Sequence, residues 1–190
     1  MSTGRFVAFL DSDDAWLPTK LETQLRLMQA HPQHMLCHTE EIWIRNGVRV
    51  NQHKKHRKGG GDQFARFVEL CCISPSSVLL DRDVFERYGV FDESLPACED
   101  YDLWLRICAF ESVLYVPTPQ IYKYGGHADQ LSHHFTAMDR FRVYALDKLI
   151  RECPLTAEQK HLAVQSISRR LKVLCAGAEK HGNTVLLEEM

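Results

Sequence analysis

The chain has 190 residues, 45% of them hydrophobic, which is enough for one ordinary domain with a real core. With 23 Lys and Arg against 25 Asp and Glu the formal charge is −2, which excludes a global pull toward nucleic acid or anionic membrane. No apolar run reaches the roughly 18 residues of a membrane span, "MSTGRFVAFL" carries no cleavage-site pattern, and seven scattered cysteines without a CxxC predict reduced thiols.

The first element is "FVAFL" (6–10), a continuous apolar run that ends in acids and predicts a strand buried on both faces of a parallel sheet. Pro18 opens a helix, with Leu21, Leu25 and Met28 at helical spacing and a stop before Pro32. "MLCHT" (35–39) reads as a short strand. Residues 41–50, "EIWIRNGVRV", read as a hairpin on a type I′ Asn-Gly turn. "NQHKKHRKGGG" (51–61) is basic, aperiodic and glycine-ended, which predicts a mobile, solvated loop. Its "KKHRK" run is the one local cluster able to meet phosphates of a lipid-linked acceptor or nucleic acid, and it lacks the interleaved aromatics that stack bases.

A short helix follows over 62–71, a strand over 76–80, a helix over 81–89 stopped by Gly89, and a helix from about Tyr101. "VLYVP" (113–117) and "IYKY" (121–124) read as separate short strands. Residues 134–152 and 156–181 read as helices split by Pro154. Strands mixed with helices predict an α/β fold, with residues 1–135 as the sheet-bearing part and 136–190 as a C-terminal helical extension.

Two acidic segments carry the chemistry. In "LDSDDAW", Asp11, Asp13 and Asp14 follow the first apolar strand directly. Open α/β sheets bind ligands beyond their strand ends, and hard cations such as Mg²⁺ or Mn²⁺ take oxygen ligands and share them with phosphates. The competing reading is that these are turn residues, which Asp favours. In "CEDYDLW", Glu99 and Asp100 open a helix, where a helix cap competes with a proton acceptor. Trp16 and Trp104 read as packing before sugar stacking.

"FVAFLDSDDAWLPTKLE" is similar to the DXD region of the family 2 glycosyltransferases, which have the GT-A fold. "ACEDYDLWLRI" resembles their "GEDxDLxLR" segment, and "YKYGGHADQLSHH" resembles their later "Y-R-x-x-G-G-H-x-x-x-x-S" segment, in the same order. The resemblance implies a truncated, Rossmann-like GT-A fold with a mixed sheet and a helical tail. It implies a metal-dependent, inverting transfer from a nucleoside-diphosphate sugar, a UDP-sugar, to an acceptor hydroxyl on a glycan or lipid-linked acceptor. On that pattern Asp11 meets the donor's ribose or sugar, Asp13 and His127 hold Mn²⁺ or Mg²⁺ and with it the diphosphate, Asp100 is the base, and Glu99 binds acceptor or holds its neighbour. Ser132 and His133 fall in the same segment as His127, and Asp14 matches a family acid that can organise the turn.

The family's opening "P-x-Y-N" strand and the nucleotide-gripping elements after it have no counterpart in these residues, so the chain corresponds to a C-terminal portion. It acts either alone or completed by another polypeptide; the alternative is an inactive remnant serving as a binding or interaction module. The bare apolar strand at residues 5–10 then needs a cover, from a second copy, a partner chain or the C-terminal helices. The expected location is cytoplasmic, with the inner face of the membrane as the site of a lipid-linked acceptor.

Overall fold

The structure is a computed structural model and describes residues 3–126, 135 and 137–182. In chain order the strands are β1 (Phe6–Ala8), β2 (Ala15–Trp16), β3 (Leu36–Arg45), β4 (Val48–Val50), β5 (Leu79–Asp81) and β6 (Leu114–Gly125). The helices are α1 (Lys20–Ala30), α2 (Phe64–Glu69), α3 (Asp83–Tyr88), α4 (Glu99–Cys108), α5 (Asp139–Glu152) and α6 (Ala157–His181). The sheet runs β1-β5-β3-β6-β2, with β4 folded back on β3. Only β3 and β6 are parallel; every other pair is antiparallel, so the sheet is mixed.

The two faces of the sheet follow the two-residue alternation of its strands. Leu36 and Leu80 face the larger core, formed with α2, α4, α5 and α6. Their neighbours Cys37 and Leu79 face the smaller one, against Met28 and Leu25 of α1. Helix α4 lies at the centre, buried from Tyr101 to Cys108. Trp104 is fully buried there, edge-on to Phe91, so its indole packs the interior and is not a sugar platform. The Thr156–Gln159 capping box starts α6 just after the break at Pro154.

Three expectations are corrected. First, β1 pairs antiparallel with β5 and is only half-buried, because among the described residues β5 is its one strand neighbour and it stands at the end of the sheet. Leu10 is exposed, while Phe9 turns in against Phe91. The C-terminal helices do not form its cover, since they pack on α4 and α2. Second, 36–39 and 41–45 belong to one strand, β3, and 114–117 and 121–124 to one strand, β6. The register between them shifts at Thr39–Glu41, opposite the prolines of "VPTP", which cannot donate to a ladder.

Third, the basic segment 51–61 is tied to the sheet. Lys58 is buried and its ammonium lies 2.8 Å from Glu41 and donates to the Cys72 carbonyl at 2.6 Å. Trp43 Nε1 donates to the other Glu41 oxygen at 2.7 Å, and the Ser74 hydroxyl also donates to Glu41. Gly60 passes so close to β6 that an added Cβ would sit 3.1 Å from Tyr115 Cβ, and Gly61 exchanges backbone bonds with Val113. The Asn46-Gly47 turn is as expected, with φ of 48° and 76° at its two residues.

A buried ion pair is costly to break from one side, because the remaining charge loses its partner without regaining water. Lys58→Met is expected to lower unfolding free energy in urea by about 3–5 kcal/mol, and the double variant Glu41→Gln/Lys58→Met to recover part of that loss. Equal stability of wild type and Lys58→Met would remove this pair from the fold's supports.

Candidate functional site

The acidic turn is produced by the sheet order. Strands β1 and β2 occupy opposite ends of the sheet, so residues 9–14 must cross its end to connect them. Two contacts with Ser76 hold this crossing. Asp11 N–H donates to the Ser76 hydroxyl at 3.0 Å, and Trp16 Nε1 donates to the Ser76 carbonyl at 2.9 Å. The Lys20 ammonium lies 4.5 Å from the Trp16 ring centroid and donates to the Val78 carbonyl; burial pulls its pKa down to about 8. Trp16 is thus a fixture of the turn. Asp14 N–H closes the turn on the Asp11 carbonyl at 3.0 Å.

This turn gathers three carboxylates. Asp11, Asp13 and Asp14 each present an oxygen within 4.8 Å of the others. Asp14 Oδ1 accepts from Tyr124 N–H of β6, whereas its Oδ2 is buried with no hydrogen-bond partner. Burial raises the Asp14 pKa, Asp11 adds to the rise, and the Ser76 hydroxyl, Lys123 and the Tyr124 N–H oppose it. Three crowded carboxylates, one with an orphaned buried oxygen, are the donor set that suits a hard divalent cation.

Asp100 comes from the other side, in the first turn of α4. The cap is Cys98, in the left-handed conformation at φ 65°, so Asp100 is not itself the cap. Its Oδ1 accepts from Tyr101 N–H at 2.6 Å, and the Cys71 thiol donates to its Oδ2 at 3.7 Å. Burial raises its pKa to about 6 and the neighbouring Glu99 adds to this; Tyr101 N–H, Lys123 and Cys71 pull it back. Asp102 belongs to the scaffold, as it is buried and paired with Arg106 at 2.7 Å.

Lys123, half-buried on β6, responds to both groups. Burial lowers its pKa, but Glu41, Asp14, Asp11 and Asp100 each push it up, and the net shift is upward. The ammonium therefore feels the acidic turn, the α4 carboxylate and the buried Glu41 at once. Sequence reasoning did not single out Lys123; the available signal was one cation between two tyrosines in a strand. Glu41, Cys71 and Ser76 were likewise missed. They look like ordinary strand and loop residues until the fold brings them here. His127, Ser132 and His133 lie outside the described residues.

The sequence profile described as glycosyltransferase like family 2 matches residues 1–162. Among curated proteins the chain is similar to two from Escherichia coli, each a UDP-Glc:alpha-D-GlcNAc-diphosphoundecaprenol beta-1,3-glucosyltransferase. WfgD is 34% identical over 108 residues, covering 56% of this chain and 39% of that protein. WfaP is 31% identical over 112 residues, covering 56% and 40%. The chain thus spans about two fifths of these relatives' length. Among solved structures, S. aureus TarS 1–349 in complex with UDP-GlcNAc superposes with a TM-score of 0.64 at 18% identity, over 90% of this chain and 48% of that 1–349 chain. This likeness gives the fold as GT-A, as the sequence resemblance implied.

A carboxyl whose folded pKa lies above its ordinary 3.8 favours the fold while protonated; that contribution is complete below pH 3.8 and is lost as pH rises through about 6. Asp100→Asn removes the charged form, so it is expected to unfold at a higher temperature than wild type at about pH 8 and to lose that advantage near pH 3.5. Calorimetry at the two pH values reads the difference, and a variant less stable than wild type at the higher pH would contradict the assigned shift.

Proposed function

The chain belongs to the glycosyltransferase-like family 2, and on that footing we propose that it transfers a sugar from a UDP-sugar to an acceptor hydroxyl with inversion, alone or completed by another polypeptide. Residues 1–135 act as a partial GT-A domain and 136–190 as its helical extension. The observation that carries this reading is that one segment, residues 71–76, touches both an acidic turn suited to a diphosphate-bound cation, through Ser76 and Asp11, and a carboxylate suited to deprotonating an alcohol, through Cys71 and Asp100. The similarity to WfgD and WfaP, which act on UDP-Glc and GlcNAc-diphosphoundecaprenol, and to TarS in complex with UDP-GlcNAc supports the substrate class.

Asp11, Asp13 and Asp14 would hold the Mg²⁺ or Mn²⁺ ion, with His127 as a further ligand; bound there, the ion supplies Lewis-acid neutralisation of the departing diphosphate. The remaining roles fall to the chain itself. Asp100 accepts the acceptor hydroxyl's proton as that oxygen forms its bond to the anomeric carbon and the bond from that carbon to the diphosphate breaks. Burial and the Glu99 charge make Asp100 a stronger base than an exposed carboxylate. Lys123 keeps its positive charge among these carboxylates. No described helix is long and apolar enough to cross a membrane; a lipid-linked acceptor would be met at the inner membrane face. A second copy or a partner chain covering residues 5–10 belongs to the same proposal.

Titration calorimetry with Mn²⁺ and UDP is expected to give binding to wild type and at least roughly tenfold weaker binding to Asp13→Ala; equal heats for both would remove the acidic turn from the donor site. Asp100→Asn is expected to abolish transfer while retaining UDP affinity, and wild-type kcat/KM to fall as pH drops below about 6, where the base becomes protonated. Transfer unaffected by Asp100→Asn would rule out its role as base. UDP binding with no turnover by wild type would instead make this chain a binding module.

A further inference from the structure

Residues 42–61 contain six Lys and Arg and no acid, in a chain whose total charge is slightly negative. The fold concentrates part of this charge on one groove. Arg49, Lys54 and Arg57 line a cavity of about 300 Å³ beside an apolar wall of Trp43, Val50 and Pro119. The three cations are exposed and make no ion pair among the described residues. Two carboxylates also line the groove, but both are already engaged. Glu41 is held by Lys58, Trp43 and Ser74. Glu40 accepts from Tyr115 at 2.7 Å and Gln52 at 2.8 Å. Glu40 keeps its single negative charge against three cations, so the groove stays net positive.

Its position separates it from the donor's turn. The acids of residues 11–14 lie on the β2 side of β6, where Asp14 accepts from Tyr124 N–H, whereas the groove lies on the β3–β4 side. Contacts run from the groove to the base: Glu41, which lines it, is held by Lys58 and Ser74, Lys58 donates to the Cys72 carbonyl, and the adjacent Cys71 thiol donates to Asp100. We propose that this groove recognises the acceptor through its phosphates. Arg49, Lys54 and Arg57 bind a lipid-linked diphosphate, and the Trp43 wall takes the first carbons of the lipid. Guanidinium forks suit phosphate oxygens, and the mixed cationic and apolar lining suits an amphipathic diphosphate better than an oligonucleotide, which would need several stacking aromatics. This rests on the glycosyl-transfer reading and assigns its acceptor a chemical class.

Farnesyl diphosphate is a soluble probe. It is expected to bind wild type at least roughly tenfold more tightly than farnesol, and Arg49→Ala/Arg57→Ala to weaken it by roughly tenfold or more while UDP affinity stays unchanged. Both arginines are exposed, so the double variant is expected to keep the wild-type unfolding temperature. Farnesyl diphosphate affinity unchanged in the variant would overturn the assignment. So would a variant that loses only phosphatidylglycerol vesicles, or only an oligonucleotide, which would make the patch a membrane or nucleic-acid contact. Arginine-dependent farnesyl diphosphate binding in a protein that fails to bind UDP would uphold the groove and overturn the glycosyl-transfer reading instead.

Discussion

Lys123 is placed on β6 where four carboxylates from three separate segments act on one ammonium: Asp11 and Asp14 from the crossing turn, Glu41 from β3 and Asp100 from α4. Much of the architecture serves this meeting. The mixed sheet order forces the chain to cross between its two ends, which delivers the aspartates. The parallel pairing of β3 with β6 sets Glu41 near Lys123. The burial of α4 in the larger core fixes where its first turn, and so Asp100, can lie.

Such a concentration of acids is unfavourable unless positive charge answers it. Lys58 neutralises Glu41 in the interior, and Lys123 serves the rest only in part. Asp14 and Asp100 both remain shifted toward the protonated form by burial. A structural ion-pair network would be expected to hold its carboxylates below their ordinary range, as Lys148 does for Asp92 at about 2. The upward shifts and the orphaned Asp14 oxygen are strain of the kind that ligand-binding sites store. Asp102, two residues after Asp100 in the same helix, shows the contrast: it is matched by Arg106 and Lys148 and holds the scaffold together.

Local chemistry was readable wherever one residue type decides the backbone. Asn46-Gly47 gave the hairpin turn, Gly89 the end of α3, Pro154 the break before α6, and the acidic positions of interest stood out by their clustering after an apolar run. Properties set by distant partners were not readable. The apolar run at residues 6–10 looks like an inner parallel strand, but its burial depends on which strands flank it, and only β5 does. "VPTP" looks like an interruption because proline cannot donate to a ladder; β3 absorbs it through a register shift that no short window reveals. In "KKHRK" nothing local distinguishes Lys58 from its neighbours, since its burial is decided by Glu41, seventeen residues earlier. Lys123 was hidden for the same reason, as its importance comes entirely from residues remote in sequence.

The central claim is that the acidic turn and Asp100 open onto one cleft, so that a cation bound by the former is sensed by the latter. Carboxyl ¹³C NMR titration of Asp100, with and without saturating Mg²⁺, measures this coupling. Added positive charge nearby favours the ionised carboxylate, so Mg²⁺ should lower the Asp100 pKa from about 6 in wild type and leave it unchanged in Asp13→Ala. An Asp100 titration indifferent to Mg²⁺ in a wild-type protein that binds the ion would place the two groups in separate environments and contradict the account.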